Sequence, residues 1–252
     1  NAYVQPLMAS YLADLDDRLR AEGAQCPLYM MTSGGGLTTV ETARRHPIRL
    51  VESGPAGGAI LAGRIAMECG LDQVLSYDMG GTTAKICLID DGRPQTSRTF
   101  EVDRQYRFTK GSGLPLRIPV IEMVEIGAGG GSIAQIDNLG RIQVGPESAG
   151  SEPGPACYGQ GGEGATVTDA DVALGRIAPE GFAGGSVELS PELATAALDG
   201  AIARKMNLDG PLAAFAVSEM VEENMSNAAR VHAVEQGKEL ADRTLIAFGG
   251  AA

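Results

Sequence analysis

The sequence predicts an α/β fold, because helical and strand-like patterns alternate along its length. Residues 6–21 and 212–236 carry apolar side chains at helical spacing, with charged side chains on the opposite face. Residues 74–92, VLSYDMGGTTAKICLIDDG, join two β-rich apolar runs through a turn of small residues, which is the pattern of a hairpin. Glycine runs follow several of the other predicted strands as well.

The composition argues against nucleic-acid and membrane partners. The formal net charge is −12, and an acidic surface repels phosphate backbones. Hydrophobic residues make up 44% of the chain but aromatic residues only 4%, with no Trp, so we expect a mainly aliphatic core. No apolar run approaches the length that spans a bilayer. The four cysteines form no CxxC pair, which favours reduced thiols in a cytoplasmic protein.

The first 72 residues contain two glycine runs, SGGG and SGPAGG, between predicted helices and strands. Each run either presents backbone N–H groups to an anion or is an ordinary turn or packing segment, and the residue types leave both interpretations open. Gly23 is expected to end the first helix and Ser53 to cap the third. The predicted elements are a helix at 6–21, a strand at 28–31, a helix at 38–43, a strand at 48–52 and a helix at 59–69.

The turn of the 74–92 hairpin has the residue types of a phosphate and metal site. Its two glycines have no Cβ, so an anion can approach the backbone, and two threonines add hydroxyl groups. A carboxylate at the end of the first strand suits Mg²⁺, and a lysine adds positive charge. An ordinary glycine turn is the alternative, but it leaves the flanking aspartate and lysine unexplained. The candidate residues are Asp78, Gly80, Gly81, Thr82, Thr83 and Lys85.

A third strand at 95–102 and a basic surface loop at 103–117 are predicted after the hairpin. The run GAGGGS at 127–132 is followed by strand-like alternation and not by a helix. This pattern argues against a dinucleotide-binding loop and predicts a second hairpin over 132–144. Glu125, just before the run, is a candidate ligand or base, with a structural carboxylate as the alternative.

The glycine- and proline-rich stretch 145–164 is predicted to be a long loop, and loops of this length in compact domains are often functional. Its Cys157 has no histidine nearby in the sequence to activate the thiol, which argues against a nucleophile. Thr168 is expected to cap a helix that begins at Asp169, whose carboxylate either stabilises the helix N-terminus or belongs to the site. The remaining predicted elements are a turn at 179–186, helices at 190–206 and 212–236, and a buried strand at 244–248.

Several stretches together resemble one protein family. DMGGTTAK resembles the first phosphate motif, Asp-x-Gly-Gly-Thr, of the ASKHA superfamily, which holds actins, sugar kinases and Hsp70 ATPase domains. ESGPAGGAI, GAGGGSIA, SAGSEPGPACYG and TVTDA resemble the hydantoinase A/5-oxoprolinase family, and the likeness covers nearly all 252 residues. The resemblance implies an ASKHA-type, ribonuclease H-like mixed sheet flanked by helices, with 145–164 as an ordered loop near the site. Some members carry His-Thr where this chain has Val124 and Glu125, which puts a histidine-based role in doubt.

The resemblance further implies ATP-dependent hydrolysis of a small cyclic amide, such as a hydantoin or 5-oxoproline, with ATP activating the ring amide. The implied cofactors are ATP and Mg²⁺ (or Mn²⁺), with Asp78 as the metal ligand and with Asp78 and Glu125 as the catalytic residues. Nucleotide contacts are expected from the hairpin turn and from Gly34, Gly35, Gly249 and Gly250. Substrate-loop contacts are expected from Gly129, Gly130, Ser132 and Asp169.

Two other functions stay open: a subunit of an ATP-dependent acetone or acetophenone carboxylase, and a non-catalytic structural fragment. The family analogy implies a second hydantoinase polypeptide as partner and allows a homo-oligomer. The strand–glycine segments at 31–36 and 248–252 echo each other, which suggests a central-domain fragment of a longer protein. Residues 1–72 would then end one lobe and 73–252 would begin the next, and the fragment alone is expected to be inactive.

Overall fold

The computed structural model describes Asn1–Val102 and Gly111–Ala251, and its helices and strands alternate as predicted. The strands are β1 (Tyr29–Met31), β2 (Leu37–Thr39), β3 (Gln73–Met79), β4 (Ala84–Asp90), β5 (Arg93–Pro94), β6 (Thr96–Ser97), β7 (Phe100–Val102), β8 (Leu114–Leu116), β9 (Val120–Ile121), β10 (Val124–Ile126), β11 (Ser132–Ile136), β12 (Ile142–Ser148) and β13 (Thr244–Phe248). The α-helices are α1 (Gln5–Ala21), α2 (Val40–Arg45), α3 (Ser53–Glu68), α4 (Val167–Ala173), α5 (Pro191–Leu198), α6 (Arg204–Met206) and α7 (Gly210–Glu235). Short 3₁₀ helices span Pro47–Leu50, Ala156–Tyr158 and Pro179–Gly185, and a π-helical turn spans Asp199–Ala203.

The chain forms two compact units. The first contains Asn1–Ser76 and Cys87–Met123, and the second contains Tyr77–Ile86 and Val124–Ala252. The strands β3 and β4 therefore contribute residues to both. The boundary predicted near residue 72 separates two lobes of a repeated architecture. That division stays a prediction.

In the first unit, α1 packs on α2 through a cluster formed by Leu12, Val40 and Ala43. The helix has the predicted bounds within one residue, and Gly23 follows it with φ of 92°. Of its apolar residues only Leu12 is buried, while Leu7 and Tyr11 are exposed.

The SGGG run is the turn of a β-hairpin and not a link from strand to helix. The Thr32 N–H donates to the Gly36 carbonyl at 2.8 Å, and β2 then pairs with β1. The helix predicted at 38–43 consequently begins later, at Val40. Thr39 caps it, with its Oγ1 accepting from the Thr42 N–H at 3.3 Å.

The strand predicted at 48–52 is absent, because Pro47 begins a 3₁₀ helix there. The SGPAGG run is the first turns of α3, which starts at Ser53, so Ser53 does not cap it. Glu52 precedes the helix in a left-handed conformation, with φ of 59°. Small residues in α3 serve close packing: a Cβ added to Gly63 would lie 2.5 Å from the Gly92 carbonyl oxygen. Tertiary packing here outweighs the low helix propensity of glycine.

The third strand predicted at 95–102 is divided among three partners. β5 pairs with β4 for two residues, β6 then pairs with β9, and β7 pairs with β8. The surface loop predicted at 103–117 falls largely on residues 103–110, which lie outside the described residues. In its described part the prediction is wrong for Leu114–Leu116, which form β8 because they pair with β7, whereas Arg117 is exposed as predicted.

In the second unit, the ends of β3 and β4 are the central strands of a sheet ordered β10-β4-β3-β13. Both predicted hairpins are present, since β4 follows β3 through a tight turn and β11 pairs antiparallel with β12. The strand β13 was predicted to be buried, which is wrong. Three of its five residues are exposed, because β13 lies at the sheet edge.

Two helices of the second unit begin directly after a residue whose side chain caps them. Ser190 and Asp209 cap α5 and α7 by accepting from backbone N–H groups three residues on, at 3.2 and 2.8 Å. The helix predicted at 190–206 is continuous through the π-helical turn into α6. Among the described residues, the buried apolar side chains include no aromatic one, which confirms the aliphatic core. No helix in the described ranges combines the length and apolarity that crossing a membrane requires.

Candidate functional site

The Gly-Gly-Thr-Thr turn between β3 and β4 has an exposed tip. The Gly80 N–H donates to the Thr83 carbonyl at 3.0 Å, which closes the turn and leaves Gly81 and Thr82 exposed between them. A Cβ added to Gly81 would meet no atom within 4 Å. Within the described chain, no backbone carbonyl accepts from the N–H of Gly81 or Thr82. The tip therefore has free donors and room for an anion.

Asp78 lies beside this tip, at the end of β3, and its side chain is half-buried. Burial raises the pKa of Asp78 above its usual range, and the positive charge of Lys85 opposes that shift. No hydrogen bond from the described residues reaches the carboxylate. A partly desolvated carboxylate without hydrogen-bond donors is a typical feature of a functional position.

Lys85 is held by a carboxylate on the neighbouring strand. In the antiparallel register of β10 and β4, Glu125 lies directly opposite Lys85, and the Lys85 Nζ is 2.9 Å from the Glu125 Oε1. The same Nζ donates to the Thr83 Oγ1 at 3.4 Å. The Lys85 side chain is 13% exposed and that of Glu125 is 51% exposed. Glu125 therefore contacts the lysine of the turn and faces solvent.

The GAGGGS run lies directly against the turn. The Gly130 N–H donates to the Gly80 carbonyl at 3.1 Å, and the Gly131 N–H donates to the Gly81 carbonyl at 2.6 Å. A Cβ added to Gly129 would lie 2.5 Å from the Gly80 carbonyl oxygen. Only glycine fits there, because two backbone segments touch.

Ser132 is completely buried, and its Oγ accepts from the Gly129 N–H at 2.9 Å. Its hydroxyl therefore closes the GAGGGS loop and does not point toward solvent. Of the predicted substrate-loop residues, Gly129, Gly130 and Ser132 lie together beside the turn.

The glycines after β13 also reach this end of the sheet. The Ala251 N–H donates to the Met79 carbonyl at 3.0 Å. Gly249 has φ of 112°, and an added Cβ would lie 2.3 Å from the same Met79 oxygen. Gly250 has open space on its Cβ side. The structure thus brings three predicted glycine segments together around the end of β3.

Asp169 is placed apart from the turn, inside the fold. The helix cap is Thr166 and not Thr168, so α4 begins two residues earlier than predicted and Asp169 completes a capping box with Thr166. The buried Asp169 carboxylate accepts from the N–H groups of Ala156 and Cys157, at 3.3 and 2.7 Å, and from Thr166. The first four residues of the loop predicted at 145–164 belong to β12, and the Asp169 oxygens hold the rest of that loop in order.

Cys157 has the surroundings of a structural thiol. It is fully buried, and burial, with the nearby negative charge of Asp169, raises the pKa of its thiol far above the usual range. A thiol that stays protonated is a poor nucleophile, in keeping with the sequence prediction.

Gly34 and Gly35 belong to the first unit. Gly35 has φ of 81°, and an added Cβ would lie 2.8 Å from the Ile60 side chain and 3.1 Å from that of Ile121. Its lack of a side chain is accounted for by packing within that unit.

Thr168 is one residue of this region that the sequence analysis placed in a different role. Both its N–H and its Oγ1 donate to the Gly130 carbonyl, at 2.7 and 2.8 Å. The TVTDA motif was the signal that could have indicated this role of Thr168. A threonine before an aspartate is, however, also typical of a helix cap.

The site as a whole combines backbone N–H groups, hydroxyls, a lysine and one carboxylate. Such a set suits an anion at the Gly81–Thr82 tip and a divalent cation at Asp78. The described residues contain no group of three or more His, Cys, Asp and Glu side chains that could hold a metal by themselves. A cation at Asp78 would take its other ligands from phosphate oxygens and water, which is usual for Mg²⁺.

Known proteins are similar to this chain over its whole length. The model of the hydantoinase/oxoprolinase family matches residues 1–252. The alpha subunit of caprolactamase from Pseudomonas jessenii is 38% identical over 252 residues, which cover 100% of this chain and 35% of that subunit. The 5-oxoprolinase of Saccharomyces cerevisiae is 30% identical over 262 residues, which cover 100% of this chain and 19% of that protein.

Solved structures of proteins with related names are similar to this chain in fold. The crystal structure of the ATP-dependent caprolactamase from Pseudomonas jessenii has a TM-score of 0.77 at 35% identity, covering 99% of this chain and 35% of that one. The nucleotide-free structure of acetone carboxylase has a TM-score of 0.81 at 26% identity, covering 94% and 32%. The chain spans about a third of the caprolactamase subunit and less of 5-oxoprolinase. Because the family model matches every residue, the chain belongs to the hydantoinase/oxoprolinase family.

Proposed function

We propose that the protein containing this chain is an ATP-dependent cyclic amide hydrolase, and that this chain supplies its phosphate- and metal-binding hairpin. The relatives named ATP-dependent caprolactamase and 5-oxoprolinase support this class of reaction. The sheet order β10-β4-β3-β13, with helices packed beside it, supports an ASKHA-type, ribonuclease H-like core. The substrate would be a small ring amide, with ATP consumed to activate it, in a cytoplasmic enzyme.

Asp78 is the observation that carries the proposal. Its carboxylate is half-buried and lacks a hydrogen-bond donor among the described residues, yet it lies beside exposed N–H groups of a glycine turn. In the proposed site Asp78 holds Mg²⁺ directly or through water, and the metal supplies neutralisation of phosphate charge. The turn at 80–83, which is exposed at Gly81 and Thr82, cradles phosphate oxygens, and Lys85 adds a positive charge. Electrostatic stabilisation of this kind supplies most of the rate enhancement in phosphoryl transfer.

Glu125 and the glycines outside the turn hold the site in place or contact the nucleotide in this proposal. Glu125 holds Lys85 in place, because the two side chains form an ion pair across β10 and β4. Gly250, with open space beside it, is a nucleotide contact, whereas Gly249 provides the close approach to β3. Gly34 and Gly35 are retained as nucleotide-binding candidates on the resemblance alone.

The test uses the full-length protein and the substitution of Asp78 by asparagine. ATP hydrolysis is measured with caprolactam, 5-oxoproline and hydantoins, for the wild type, for Asp78→Asn and for the control Asp242→Asn, which changes an exposed aspartate. We expect ring-amide-dependent ATP hydrolysis in the wild type and the control, and its loss in Asp78→Asn with the fold retained. Turnover in Asp78→Asn would remove this aspartate from the mechanism.

A carboxylase subunit is the second candidate, and the TM-score of 0.81 to acetone carboxylase favours it. The same assay with acetone or acetophenone plus bicarbonate discriminates between the two. ATP hydrolysis that depends on ketone and bicarbonate, without any response to ring amides, would assign the protein to the carboxylases. The relative named as a caprolactamase alpha subunit supports a second polypeptide as partner in either case.

A further inference from the structure

We propose that Thr168 is a positioning residue for the Gly-Gly-Thr-Thr turn, which it controls through Gly130. The activity readout of this inference rests on the proposed function, but its structural readout does not. Thr168 lies in the first turn of α4 and is almost completely buried.

Thr168 makes two hydrogen bonds to a single acceptor. Its N–H donates to the Gly130 carbonyl at 2.7 Å and its Oγ1 donates to the same oxygen at 2.8 Å. The helix does not need this hydroxyl for its own cap, because Thr166 already accepts from the Asp169 N–H. The hydroxyl of Thr168 is thus directed at the glycine loop and not at its own helix.

Gly130 transmits this constraint to the turn. The Gly130 carbonyl and the Gly131 N–H belong to one planar peptide group, and that N–H donates to the Gly81 carbonyl at 2.6 Å. A continuous line of two hydrogen-bonded steps therefore runs from α4 through one peptide of the glycine loop to the turn. Two donors on one carbonyl fix the direction of that peptide more firmly than one donor would.

The space around Gly130 allows little adjustment. A Cβ added there would lie 2.8 Å from the Thr168 Oγ1 and 2.9 Å from the Ala251 Cβ. Thr168 therefore lies against the loop from one side while Ala251 lies against it from another. Loss of the hydroxyl would free the 130–131 peptide to tilt, and the Gly81 carbonyl, which accepts from the N–H of that peptide, would move with it.

The experiment compares three variants of the full-length protein with the wild type. Thr168→Val keeps the shape and removes the hydroxyl, and Thr168→Ser keeps the hydroxyl. Thr195→Val is the matched control, because the Thr195 Oγ1 donates to a backbone carbonyl, that of Pro191, at 2.8 Å on an exposed helix. Amide hydrogen exchange is followed by mass spectrometry without nucleotide, and KM and kcat are measured for ATP and for the ring amide.

We expect exchange over 80–83 and 129–131 to be at least several-fold faster in Thr168→Val than in the wild type, and unchanged in Thr168→Ser and Thr195→Val. The KM for ATP should rise about tenfold in Thr168→Val, with kcat within about twofold and the KM for the ring amide unchanged. If residues 80–83 of Thr168→Val exchange at the same rate as in the wild type, the inference is overturned. A protein that hydrolyses no ATP would defeat the proposed function, while the exchange comparison would still decide the role of Thr168.

A wild-type measurement decides the question if Thr168→Val does not fold. Addition of Mg-ATP should slow exchange over 80–83 and also over 129–131 and 166–169, with no effect on the exposed turn at 138–140 of the second hairpin. Slowing confined to 80–83 would show that α4 is not coupled to the turn and would overturn the inference.

Discussion

Asp78 occupies a position in which its negative charge is energetically unfavourable. Burial raises the pKa of its carboxyl, and Lys85 only partly compensates. A group whose pKa is raised in the folded state stabilises the fold at pH values below its unfolded pKa. That contribution is lost as the pH rises through the folded pKa. At neutral pH the charged Asp78 therefore lowers the stability of the fold, as is common where function requires a charge.

We expect Asp78→Asn to have a melting temperature equal to or higher than that of the wild type at pH 7. The amide is close in shape to the carboxyl and carries no charge that needs desolvation. The advantage should shrink as the pH is lowered toward the pKa of Asp78, because the wild-type carboxyl becomes neutral too. Scanning calorimetry at several pH values measures this. A melting temperature lowered by several degrees at pH 7 would assign Asp78 a structural role.

Glu125→Gln tests whether that carboxylate acts on the reaction or on Lys85. Because Glu125 is half-exposed and paired with Lys85, we expect kcat to fall less than about tenfold and the KM for ATP to change as the lysine is released. A general base contributes about 10²–10⁴ in rate. A loss of kcat within that range, with an unchanged KM for ATP, would make Glu125 the base.

At the scale of elements, the turn is shaped by a second glycine segment that touches it. Gly129→Ala should lower stability by about 1–3 kcal/mol and raise the KM for ATP, because the new methyl would lie 2.5 Å from the Gly80 carbonyl oxygen. Gly200→Ala is the control, since it is exposed in a helical segment and its Cβ would meet nothing within 4 Å. Chemical denaturation and ATP kinetics measure both. Equal behaviour of the two variants would show that the segments are not tightly packed.

The first turn of α4 organises the long loop through a single carboxylate. Asp169→Asn should destabilise the protein by about 2–4 kcal/mol, because an amide group would face N–H donors that now bond to a charged oxygen. Asp242→Asn, at an exposed position, should change stability by less than about 0.5 kcal/mol. Denaturation midpoints compare the two. Wild-type stability in Asp169→Asn would leave the carboxylate available for the proposed substrate role.

At the scale of the whole molecule, the chain holds only part of what its relatives contain. It covers 35% of the caprolactamase subunit and 32% of the aligned acetone carboxylase chain. We expect the 252 residues expressed alone to bind Mg-ATP at least a hundredfold more weakly than the full-length protein. Isothermal titration calorimetry compares the two, with circular dichroism as a check that the shorter chain is folded. Equal affinity would place the complete nucleotide site within this chain.

Local patterns in the sequence predicted most elements but misplaced some of them. Both hairpins and the helices α1, α5 and α7 were predicted correctly, because apolar periodicity and capping residues act within a few neighbours. The strand predicted at 48–52 is absent, and the helix predicted at 59–69 begins earlier, at Ser53. The cap of α4 is Thr166, where Thr168 was predicted. In the case of α3, close packing outweighed the local preferences of glycine. The division of 95–102 among three partners also depends on residues distant in the chain.

The sequence by itself determined the fold class, the family motifs and the Asp78 turn, because these depend on residue types and short spacings. The tertiary structure alone decided that the glycines at 129–131 pack against that turn, that Gly249 packs against Met79 beside it, and that Lys85 is paired with Glu125. It also showed that the Asp169 carboxylate is engaged inside the fold. Contacts of this kind join residues up to 172 positions apart, such as Met79 and Ala251, and no local pattern encodes such a pairing.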